Sequence, residues 1–356
     1  MKNELFETTP VPKAYLTLAF PVVLSMMLSL IYNMVDTYFI ALTGKQDLVA
    51  GVSLAVPVFT LMIAFGDIFG LGGSSIISRL LGEKNETAAK KASAFCIWTS
   101  IGFGLLVTLI LLLFRAPVLA LLGAKGTTYQ HASDYYTWIA IGSAAIIFGL
   151  VPSNILRTEG MAAQAMICSI LGSIINIVLD PMFIFVLNQG AAGAAIATVL
   201  GNVFADCYYL FVIVTKSQRL SASIREIHIS GTMARDIFTI GIPASITNLM
   251  QSFMVMMTNH FLLAYGTDKI AAMGIALKAN MITALILVGF AFGGQSVGNA
   301  LGAFLLSVCR QGVLYAAFLF LLSNLFGYHG VLLSQACADL ATAVMAVCII
   351  RNLFKK

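Results

Sequence analysis

The chain has 356 residues, of which 60% are hydrophobic and 10% charged, with a formal net charge of +5 and a mean hydropathy of +0.95. A water-soluble domain carries charge on roughly a quarter of its residues, so these figures exclude one and indicate a polytopic, all-α membrane protein. The positive balance calls for no nucleic acid, because the basic residues sit at the ends of apolar runs, where membrane topology places them.

Residues 1–14 are polar and mixed in charge, and the apolar run after them is long and lacks a small-residue cleavage site. That reads as a retained first transmembrane helix and not a signal peptide. Crossing a bilayer takes about 20 apolar residues. Ten runs meet that length, near 15–41, 49–77, 92–114, 135–156, 161–187, 191–214, 237–265, 270–295, 300–322 and 330–350. The first contains LIYNMVDTYFI, which sets Asn33 and Asp36 three residues apart. The second contains GLGGSS, small residues that let helices approach closely. With no lysine after it and no strand before it, this is not a phosphate loop. Asp67, near the inner half of this run, reads as a solvated or capping residue.

The fifth and sixth runs carry the densest polar pattern. In SIINIVLDPMFIF, Asn176 and Asp180 lie four residues apart, a little over one helical turn, so both project from one face. Pro181 follows and leaves the carbonyl of Ile177 without its helical amide. The sixth run adds Thr198, Asn202 and Asp206 at the same spacing; Asp206 either extends the ion path or sits in water at the inner mouth, and the second reading is slightly favoured. The polar interval Thr215–Asp236 holds Lys216, Arg219, Arg225 and Arg235 and reads as an interfacial linker between two halves. Further on, Lys278 is placed to snorkel to an interface, and Arg310 and Asp339 are placed to pair across the last two helices.

Carboxylates inside hydrocarbon are costly, and they normally face a protein interior or a watery cavity and handle ions or protons. Two carboxylates, an amide and a hydroxyl form a hard-oxygen donor set suited to a small alkali ion. The same carboxylates hold a proton where solvation is poor and like charge is near. The bland alternative is that each polar residue only bonds a neighbouring helix. The six cysteines lie in or at apolar runs without CxxC spacing and the four histidines are scattered, so they read as core hydrophobes, with neither a disulfide framework nor a zinc site. No Ser/His/Asp or Cys/His cluster is found; no enzymatic activity and no cofactor are expected.

With the N-terminus in the cytoplasm, the inner segments hold 14 basic residues and the outer loops 4, namely Lys45, Arg115, Lys125 and Lys269. The bias places both termini inside. The chain also repeats itself. Pro21 pairs with Pro243 and Gly44 with Gly266 at an offset of 222, whereas Gly190 and Gly193 pair with Gly327 and Gly330 at 137. The repeats run in the same direction, and the second is shorter by 85 residues, about two helices, lost just after Gln295. Parallel halves related by an axis along the membrane normal are a known transporter architecture.

Over nearly its whole length the chain resembles the multidrug and toxic compound extrusion (MATE) antiporters, and among them the DinF-like branch. The resemblance rests on FPVVLSMMLSLIYNMVDTYFIALTG, GLGGSSIISRLLGEKN, SIINIVLDPMFIF followed by GAAGAAIAT, and SVCRQGVLY. It implies a two-lobed bundle of parallel repeats, with about ten helices (six plus four) in place of the family's twelve. The expected lobes are 1–216, with the cation site, and a shortened 237–356, joined by a cytoplasmic linker over 217–236. It further implies export of organic, often cationic, compounds such as drugs and dyes, in exchange for Na+ or H+. The coupling positions fall here on Asp36, Asn176, Asp180 and Thr198, with Pro21 and Pro181 as candidate hinges. A multi-pass plasma-membrane monomer surrounded by lipid is expected. A non-transporting remnant, or a lipid or oligosaccharide flippase, is the alternative.

Overall fold

The computed structural model describes residues 31, 34–227, 231–277 and 312–353, and every regular element among them is helical. Helix α1 covers 34–42. It is followed by α2 (Gln46–Gly82), α3 (Glu86–Leu113), α4 (Arg115–Leu121), α5 (Thr127–Ile141) and α6 (Ser143–Thr158). Then come α7 (Ala162–Pro181), running into a π-helical turn at Met182–Val186, α8 (Gly190–Lys216) and α9 (Gly231–Leu262). Helix α10 covers 267–277, and α11 is Leu314–Leu353. Among the described residues six helices are long and apolar enough to cross a membrane, or seven if α5 and α6 form one bent span. Their outward faces are apolar and exposed, as Leu105, Leu109 and Leu113 are on α3, which is the surface a bilayer requires. The expected runs 15–41, 270–295 and 300–322 are described only in part, and Pro21, Asn33, Lys278 and Arg310 lie outside the described residues.

Three expected runs differ in detail. The run 135–156 is two helices bent by 52°. The break falls at Gly142, where any side chain would overlap Val199 of α8. The last two runs form one helical stretch interrupted at Gly327, whose φ of 57° and ψ of −130° are non-helical. That glycine belongs to the internal repeat, and its partner Gly190 has a φ of 53°. The earlier pair behaves alike, with Gly44 at 67° and Gly266 at 102°. Glycine enters this left-handed region without the Cβ penalty of other residues. The second members agree as well. A Cβ at Gly193 would strike the backbone of Phe183, and one at Gly330 the backbone of Leu322, so each helix start lies against the chain just before it.

The chain divides into two units, drawn from Met1–Thr43, Phe65–Leu113 and Thr137–Ile242, and from Gly44–Ala64, Phe114–Tyr136 and Pro243–Lys356. In the first, a core of Phe69, Ile77, Cys96, Val151, Tyr209 and Ile237 is flanked by helices that meet at glycines. A Cβ at Gly104 would lie 2.7 Å from Ala144 Cα, and one at Gly172 would lie 2.8 Å from Gly201 O. The polar stretch after α8 is bonded to this unit. Glu159 accepts hydrogen bonds from Ser217 Oγ and from the amides of Gln218 (3.0 Å) and Arg219 (3.3 Å). Ser93 Oγ donates to Ser221 O at 3.0 Å, and Trp98 Nε1 donates to Ala222 O at 3.0 Å.

In the second unit, Pro57 sits inside α2. A proline there removes the amide that would meet the carbonyl four residues back, Ser53. Asn259 of α9 fills the gap, its Nδ2 donating to Ser53 O at 3.2 Å, and Ser252 Oγ donates to Pro57 O at 2.6 Å. Two side chains of one helix thus bond backbone carbonyls around a proline in another, the compensation a membrane interior demands.

Candidate cation site

Helix α7 is two-faced. Leu171, Ile174 and Val178 are exposed, whereas Gly172, Asn176 and Asp180 are buried along one stripe four residues apart. Glycine at 172 and at 201 lets α7 and α8 approach at backbone distance, and a Cβ at 201 would lie 3.1 Å from Asn176 Cβ. This close approach brings the two polar stripes together. Asn176 Nδ2 donates to Asp180 Oδ1 at 3.4 Å on its own helix and to Thr198 Oγ1 at 3.5 Å across to α8. Thr198 is held in turn by its own helix, its carbonyl accepting from Asn202 Nδ2 at 2.8 Å.

Burial is nearly complete: Asp36 is 6% exposed, Asn176 2%, Asp180 0% and Thr198 6%. Asp36 comes from α1, whose Phe39 meets Phe185 of the π-turn edge-on at 6.3 Å, so α1 lies beside the segment that follows Asp180. The structure therefore joins Asn176, Asp180 and Thr198 by hydrogen bonds and sets the helix of Asp36 alongside them. Of the two candidate hinges, Pro181 ends α7 at the π-turn and Pro21 lies outside the described residues.

The arrangement leaves oxygen facing inward. Asn176 uses its two N–H donors on Asp180 and Thr198, and its buried Oδ1 has no hydrogen-bond partner among the described residues. A buried acceptor without a donor is costly, and a small cation or a proton-bearing group would satisfy it. Among the described residues no three His, Cys, Asp or Glu side chains gather as a transition-metal centre requires.

Sequence reasoning misjudged two acids. Asp67 is buried, not solvated, and Asp206 is buried rather than at an aqueous mouth. It also missed the π-turn, for which Pro181 was the one local signal. The cysteines were read as core, and Cys96 and Cys168 are buried, but Cys207 is exposed.

The MatE family model matches residues 21–182, which include α1 to α7 and three of the four candidate residues. The multidrug export protein MepA of Staphylococcus aureus (strain NCTC 8325 / PS 47) is 32% identical over 296 residues, 82% of this chain and 66% of that protein. The chain belongs to the MATE family. Solved MATE structures share its fold. The MATE multidrug transporter DinF-BH, solved in complex with a dye, superimposes with a TM-score of 0.84 at 24% identity, covering 97% of this chain and 96% of that one. An inward-facing multidrug resistance MATE transporter of the MOP superfamily gives 0.80 at 22%, covering 92% and 96%. This MATE chain is an integral membrane protein, and it spans 66% of the length of the MepA proteins it matches. The family is one of transporters, not enzymes.

Proposed function

We propose that this chain exports organic, often cationic, compounds in exchange for Na+ or H+, with Asp36, Asn176, Asp180 and Thr198 as the coupling site. The observation that carries the reading is Asn176, buried between Asp180 and Thr198 with its Oδ1 unmatched. In the proposal a cation or proton enters among these oxygens and shifts α1 against the π-turn, with Pro21 and Pro181 as the bending points. The lobes are residues 1–216 and 237–356, joined on the cytoplasmic side through 217–236. The work comes from the gradient, about 2.3 kcal/mol per charge per 100 mV of membrane potential. The multidrug export role of MepA and the dye held by DinF-BH support drugs and cationic dyes as the substrate class.

The second repeat, shorter than the first by 85 residues, favours a second reading. Matching 66% of MepA, the chain is also consistent with a shortened, non-transporting relative. Ethidium efflux from pump-deficient bacteria separates the two. Efflux by the chain that Asp36→Asn abolishes at matched membrane levels is the expected result. No efflux from either, with both in the membrane, establishes the shortened relative for this substrate class.

A further inference from the structure

The polar stripe of α8 continues past Thr198 and Asn202 to Asp206, which none of the roles above uses. Asp206 is 7% exposed, and its Oδ1 has no hydrogen-bond partner among the described residues. The carboxyl lies against Gly149 of α6, where a Cβ would come 2.7 Å from Oδ1. Four helical residues rise about 6 Å, so Asp206 stands about 12 Å along α8 from Thr198, beyond bonding reach of the four-residue site.

Its titratable and charged neighbours are engaged elsewhere or apolar in setting. On α8 itself, the Tyr209 hydroxyl bonds Ser169 Oγ at 2.7 Å and Ala165 O at 3.1 Å, and Cys207 is exposed on another face. On α6, the Arg157 guanidinium donates to Ser153 Oγ at 3.2 Å and Asn154 Oδ1 at 3.5 Å. On α7, Cys168 is a buried thiol, and Asp67 of α2 is a second buried acid. Pro152, inside α6, adds an independent feature. It deprives the Phe148 carbonyl of its helical amide, one residue from the Gly149 contact.

A carboxylate oxygen buried without a donor or a cation is costly, and binding a proton relieves that cost. A protonated carboxyl has an O–H to donate, and Pro152 leaves the carbonyl of Phe148, the residue before Gly149, without its helical donor. We propose that Asp206 is a second proton-binding site of this protein, in series with the four-residue site along the Thr198–Asn202–Asp206 stripe. The site stands on this geometry alone; its place in a transport cycle rests on the proposed function. Gly149 is then the residue that gives the carboxyl room beside α6.

Infrared difference spectroscopy of the purified full chain, without substrate, tests this independently of transport. At neutral pH and without Na+, the spectrum should contain a protonated-carboxyl C=O band that shifts on H–D exchange. The band should vanish in Asp206→Asn and persist in Asp36→Asn. Gly149→Ala keeps the carboxyl but presses on its Oδ1, and should move the band; this variant also covers the case in which Asp206→Asn does not fold. A band unchanged in Asp206→Asn overturns the proposal, as does one unmoved by Gly149→Ala. A band removed by added Na+ overturns it in favour of a sodium site.

Discussion

A carboxamide both donates and accepts, and Asn176 uses only its donating side. Nδ2 reaches Asp180 and Thr198, and the buried Oδ1 has no hydrogen-bond partner among the described residues. Thr198→Val keeps the shape but removes one bond and one ligand oxygen. At roughly 1 kcal/mol for such a bond, the midpoint for Na+- or H+-dependent thermal stabilisation should shift about five-fold. A midpoint identical to wild type would remove Thr198 from the site. The glycines make a second residue-scale test. Gly201→Ala puts a methyl 2.7 Å from Gly172 O, a backbone atom that cannot step aside. It should cost about 1–3 kcal/mol and lower the melting temperature. Gly102→Ala meets nothing within 4 Å and should be neutral or slightly stabilising, since alanine is the better helix former.

At the scale of elements, each proline in a membrane helix opens a carbonyl that another group must answer. Asn259 answers Ser53 for the kink at Pro57. Asn259→Leu should therefore destabilise the protein by about 1–3 kcal/mol. Adding Pro57→Ala, which restores the amide to Ser53, should recover most of that loss in a thermal-unfolding double-mutant cycle. Purely additive effects would show that the bond does not compensate the kink. The same elements show what a linear sequence carries. The spacing of Asn176 and Asp180, and of Thr198, Asn202 and Asp206, is readable because helical periodicity is local, and burial of the 172–176–180 stripe follows it. The repeated glycines were readable too, and Gly190 and Gly327 share a left-handed φ. The segments of α7 and α8 were read as a helix pair, but their close approach at Gly172 and Gly201 was not legible, nor was the wedge of Asp206 against Gly149. Those contacts are set by how helices cross, and no single-helix pattern encodes them. The burial of Asp67, read as solvated or capping, and of Asp206, read in water in preference to the ion path, was not legible because it depends on neighbours far away in the chain.

At the scale of the whole molecule, the account joins an all-helical MATE fold to a chain shorter than its MepA relatives. The charge bias predicts the topology. In a cysteine-free background, Lys125→Cys should react with a membrane-impermeant maleimide in intact cells and Lys84→Cys should not; the opposite pattern would invert the proposed orientation. The central claim is that ion entry at the four-residue site drives export. Purified protein reconstituted into liposomes, with a pH or Na+ gradient imposed in turn, measures it most directly. The account predicts dye transport that requires one of these gradients and is lost in Asp180→Asn, at equal incorporation. Transport that runs without either gradient, or that Asp180→Asn leaves intact, would contradict it.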